Sequence, residues 1–94
     1  MNYKLEVIAF TIDSCILIEN AGAHRIELCD NPGDGGTTPS YGFIKAAREK
    51  LQIALFPIIR PRGGDFLYSD DCKIKELIVL CDYLEGLTIF NAVI

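Results

Sequence analysis

Three times along this chain an apolar run breaks off at small oxygen-bearing or glycine residues and is followed by a segment of helical length. Few folds accommodate that rhythm. The first run, from Leu5 to Phe10, reads as a strand, and Thr11, Asp13 and Ser14 supply the side-chain oxygens that cap a helix. That helix is expected from about Ser14 to Ala21, with Gly22 as its left-handed stop. The second strand is expected over Arg25 to Cys29. A turn-rich loop from Asp30 to Pro39 follows, with Ser40 capping a helix from Tyr41 to Lys50. The third strand spans Gln52 to Ile59, with a loop from Arg60 to Ser69 behind it. Asp70 and Asp71 open a third helix reaching about Glu85, Gly86 ends it, and Leu87 to Ile94 reads as a fourth strand.

Strand, loop and helix repeated in this way, with longer loops after the strands than after the helices, predict right-handed βαβ units in a parallel sheet. The fold class is therefore α/β. In such sheets binding groups gather where strands end. That rule places Asp30, Gly35, Gly36, Thr37, Thr38, Arg60, Arg62 and Asp65 on one rim and leaves Glu6 and Glu27 within strands. At 94 residues the chain is expected to form one domain over 1–94.

Half of the residues are hydrophobic, an apolar balance for so short a chain, which points to association or to membership of something larger. The net charge of −4 carries no basic cluster beyond Arg60 and Arg62, so a nucleic-acid partner is not expected. No uncharged stretch approaches the roughly 20 residues that span a bilayer, and Glu6 and Asp13 stand where a signal peptide would be apolar. A cytoplasmic setting without membrane partners is the expectation. The four cysteines, Cys15, Cys29, Cys72 and Cys81, form no C-x-x-C pair and are expected to be reduced.

Chemistry concentrates in Arg60-Pro61-Arg62-Gly63-Gly64-Asp65. Two guanidiniums beside glycine backbone suit a small phosphate or carboxylate ligand, with the Gly63 and Gly64 N–H groups as further donors. The competing reading has the arginines pairing with Glu6, Glu27 or Asp65 and ordering the loop. Glu6 and Glu27 take matching places in neighbouring apolar strands. Side by side they form a candidate catalytic acid and base; alternatively they are salt-bridged to Arg25 or Arg60. Cys29 lies at the end of the second strand, near the expected rim. Cys15, Cys72 and Cys81 are expected on helices, packed on the sheet. His24 precedes the second strand, away from the loops, and reads as a surface or capping residue. Tyr41, Phe43, Phe56 and Phe66 read as core or cavity wall, and Phe56-Pro57 as an edge or bulge.

Arg25-Ile26-Glu27-Leu28-Cys29, Gly35-Gly36-Thr37-Thr38-Pro39-Ser40, and Ile59-Arg60-Pro61-Arg62-Gly63-Gly64-Asp65-Phe66 with Tyr68-Ser69-Asp70 resemble the CutC family in order and spacing. The resemblance is good over about residues 4–71 and fades beyond. It implies a (β/α)₈ TIM barrel, a cytoplasmic setting and copper homeostasis with copper binding; since Cu(I) prefers thiolate and thioether ligands and the one methionine is the initiator, Cys29 is the candidate metal ligand for that copper. A full barrel needs about 250 residues, so the chain is expected to hold three βα units and a fourth strand of a partial barrel. Open strand edges on such a piece predict a homo-oligomer. The alternatives are a barrel enzyme acting on a small anionic substrate, and a truncated fragment without activity.

Overall fold

The computed structural model describes residues 3–65, 67 and 69. Three strands, β1 (Glu6–Ala9), β2 (Arg25–Leu28) and β3 (Ala54–Pro57), alternate with helices α1 (Ile12–Asn20) and α2 (Tyr41–Lys50). A single 3₁₀ turn, Pro32–Asp34, lies in the β2–α2 loop. The sheet is parallel in the order β1-β2-β3, the arrangement that successive right-handed βα units build. The expected third helix and fourth strand, and Phe66, Cys72 and Cys81 with them, lie outside the described residues.

Register sorts the strand side chains onto two faces. Val7, Ala9, Ile26, Leu28, Leu55 and Pro57 share one face. Ala9, Ile26, Leu28 and Leu55 pack there with Cys15 of α1 and with Ile44 and Ala47 of α2 in one buried cluster. Glu6, Ile8, Arg25, Glu27, Ala54 and Phe56 share the other face. This is a barrel's division of labour, helices outside and a mixed polar and apolar lining within.

α1 begins two residues before the expected Ser14. The Thr11 hydroxyl accepts the Ser14 N–H at 3.0 Å, so Thr11 is the cap and Ser14 lies in the first turn. The strands are shorter than their apolar runs. Leu51 still bonds to Ala47 of α2, and the Arg48 guanidinium donates to the carbonyls of Leu51 (2.7 Å) and Ile53 (2.9 Å), which holds 51–53 as a helix exit. Pro57 makes no bulge: the register runs unbroken from Ala54 to Pro57, and the Ile58 N–H donates to the Leu28 carbonyl at 3.0 Å. The missing donor of Pro57 costs that ladder nothing.

Tyr41 is exposed, with the Lys45 ammonium 6.0 Å from its ring centre, and not a wall of the core as expected. Phe43 does pack against the core. His24 caps the sheet's lower end, its Nδ1 accepting the Leu5 N–H at 2.9 Å.

Candidate functional site

Chemistry-bearing residues fall into two groups, one at the C-terminal rim of the sheet and one on its inward face. The rim begins with the loop from Cys29 to Ser40. Asp30 and Thr37 exchange both backbone bonds, at 2.9 and 2.8 Å, which closes the loop on itself. Asn31 turns the chain with φ 51°, and its side-chain amide donates to the Thr37 hydroxyl at 2.8 Å. Asparagine tolerates this left-handed backbone better than most residues.

Arg60 docks the next rim loop onto this one. Its N–H donates to the Thr38 hydroxyl at 2.9 Å and its carbonyl accepts the Thr38 N–H at 3.0 Å. The guanidinium, 8% exposed with the rest of the residue, donates through one amino group to the carbonyls of Asp34 and Gly36 and through the other to Gly64 at 2.9 Å. Arg62 bonds to its own loop: to Asp65 Oδ1 at 3.0 Å, the Leu67 carbonyl at 3.1 Å and the Gly63 carbonyl at 3.0 Å. The Asp65 carboxyl is held below its usual range by the Leu67 N–H first and by the Arg62 guanidinium second. Both arginines thus act on the rim backbone in this structure, and Arg62 takes the expected pairing with Asp65.

At Gly63 an added Cβ would stand 2.7 Å from the Asp34 carboxylate carbon and 2.8 Å from its Cβ, so Asp34 would have to shift. At Gly36, φ of 104° and a Cys29 sulfur 3.4 Å from any added Cβ favour glycine. Cys29 itself is fully buried. Burial, and secondarily the charge of Glu27, push its thiol up to about 12.

On the inward face Glu6 lies opposite Arg25, and Ile8 opposite Glu27. The two glutamates therefore share a face but are offset by two residues, rather than standing side by side as expected. Arg25 Nε is 3.6 Å from Glu6 Oε1, and the guanidinium lies 5.1 Å from the centre of the Phe56 ring. Glu6 thus takes the salt bridge to Arg25, at the strand starts, the end of a barrel associated with stability. Glu27, nearer the rim, has its pKa pushed above the ordinary carboxylate value by burial first and by the Glu6 charge second.

A glutamate whose folded-state pKa is raised holds its proton more tightly when folded, so its stabilising contribution is complete below the unfolded value and is lost as pH rises through the folded one. Glu27→Gln removes that loss. Urea unfolding between about pH 4 and 7 is expected to show the parent chain weakening relative to the variant as pH rises. Parallel pH profiles would contradict it.

Among the described residues no three of His, Cys, Asp or Glu stand together as a metal site. No helix among them is long and apolar enough to cross a membrane. Sequence reasoning singled out the arginines but not Asp34, whose backbone carbonyl and side chain both meet the Arg60 loop. The signal available was the glycine pair at 63 and 64, which marked a close approach without saying to what.

The CutC family model matches residues 3–86 of the 94. The chain belongs to the CutC family. A CutC family protein of Chromobacterium violaceum is 61% identical over 69 residues, covering 73% of this chain and 28% of the relative. A second, from Bacteroides fragilis, is 56% identical over 78 residues, covering 82% of this chain and 31% of the relative. A crystal structure of the proposed copper homeostasis protein CutC from Streptococcus agalactiae superposes with a TM-score of 0.72 at 35% identity, over 86% of this chain and 42% of that one. The chain thus spans under a third of the curated relatives' length. Its parallel βα units are the corresponding part of the CutC TIM barrel.

Proposed function

We propose that this chain serves copper homeostasis as the N-terminal part of a CutC-type barrel, a single domain over 1–94 working in the cytoplasm. The 61% identity to a CutC family protein supports this reading most strongly. Copper itself does not fit the described residues. Cu(I) binds thiolate, and among the described residues the one rim thiol, Cys29, is fully buried and pushed up to about 12. Any Cu(I) held by the chain is therefore expected to be held without Cys29.

A second reading, a barrel enzyme acting on a small phosphate or carboxylate substrate, is favoured by Glu27, whose pKa is raised by burial in the direction a general acid requires. In it Glu27 is the acid, and Arg62, Gly63, Gly64 and Asp65 form the anion-facing rim, with Arg60 behind them as support and Glu6 held by Arg25 below. Self-association belongs with either reading, because Leu5 and Ile8 are 51% and 45% exposed.

One set of titrations separates these readings. The full chain and Cys29→Ser are titrated with Cu(I) against a chromophoric chelator, and with inorganic phosphate by amide chemical shift, and the same samples are sedimented. Any Cu(I) binding is expected to be equal in the two proteins. Binding by neither would sink the copper reading, and loss in Cys29→Ser alone would show that Cys29 is a ligand. Unmoved Gly63 and Gly64 amides would end the anion reading, and a monomer at tens of micromolar, a rough range for weak assembly, would end the self-association.

A further inference from the structure

We propose that Arg60 is a latch that makes the two rim loops, Asp30–Thr38 and Arg60–Asp65, open and close as one unit, so that an event at one loop is transmitted to the other. Four observations carry this. The guanidinium spans both loops, bonding to Asp34 and Gly36 on one and to Gly64 on the other. It is buried, so its planar fork is fixed by carbonyls and not merely draped over them. The backbones are tied reciprocally, Thr38 N–H to Arg60 carbonyl and Arg60 N–H to Thr38 hydroxyl. Finally, Gly63 sits so close to Asp34 that a methyl group would fit between the loops only if Asp34 shifted.

Such bonds from a charged donor are stronger than neutral ones, and they converge on one side chain. Losing the Asp34 and Gly36 bonds therefore frees the Gly64 end as well. A ligand that displaces the β3 loop would release the β2–α2 loop with it. This goes beyond the copper reading and holds whichever ligand the rim takes, so the failure of one is distinguishable from the failure of the other.

The test is amide hydrogen exchange on the full chain, with two variants. Arg60→Met removes every guanidinium donor. It is expected to speed exchange about tenfold or more, the scale of a local opening, at Gly36, Thr37 and Thr38, more than twenty residues away in sequence, while Ile8 and Glu27 in the sheet keep their rates. Gly63→Ala, which retains Arg60, is expected to speed the same three amides by pushing on Asp34. It also decides the matter if Arg60→Met fails to fold. Acceleration confined to residues 60–65 would overturn the latch, and so would a uniform rise across the sheet, which is the signature of a merely destabilised chain.

Discussion

In the folded chain Cys29 is expected to react with iodoacetamide about a thousandfold more slowly than the same cysteine in urea. The thiolate is the nucleophile, and burial pushes the Cys29 thiol up to about 12, so that far less of it is thiolate at neutral pH than in an exposed cysteine. Full burial adds a steric barrier to reagent access. Peptide mass spectrometry resolves Cys29 from the other cysteines and gives its rate directly. Labelling at the unfolded-chain rate would mean that the Gly36 turn opens readily and that Cys29 is available to copper after all.

Leu28→Ala is expected to cost about 2–5 kcal/mol of stability, a large share of what a chain of this size commands. Leu28 is fully buried on the middle strand, in the cluster where the sheet meets the helices. Truncation leaves a cavity that neither neighbour can fill without breaking the β1–β2 and β2–β3 registers, Ala9 and Pro57 being its direct partners. Urea unfolding should give a lower midpoint with unchanged slope. Leu17→Ala is the control: Leu17 is 69% exposed on α1, and its loss should change stability by no more than about 0.5 kcal/mol. Similar effects from the two substitutions would refute this assignment of the core.

Much of the fold was legible because burial writes a pattern. Ile26 and Leu28 alternate with Arg25 and Glu27, and that spacing of two already separates the helix-facing side of β2 from the inward side. The oxygen at Thr11 and the Gly22 stop bracketed α1 for the same local reason, although the cap proved to be Thr11 itself. Strand ends were less legible. Leu51 and Ile53 are apolar enough for a strand, yet the Arg48 guanidinium takes their carbonyls, a contact that sequence spacing does not announce.

The arginines show the same division at the candidate site. Their place at the end of β3, beside two glycines, followed from the order of residues. Their partners did not: a guanidinium can donate to carbonyl, carboxylate or phosphate, and which one it meets depends on how the loop after β2 folds over it. The offset of Glu6 from Glu27 is likewise a matter of register, fixed by the pairing of Glu6 with Arg25. The βα rhythm, the family motifs and the rim position of the arginine loop were set by the sequence alone, because periodicity and turn chemistry are local. That Arg60 spends its donors on Asp34, Gly36 and Gly64, and that Cys29 is sealed beneath Gly36, was decided by tertiary structure, because those partners are brought together only when the strands align.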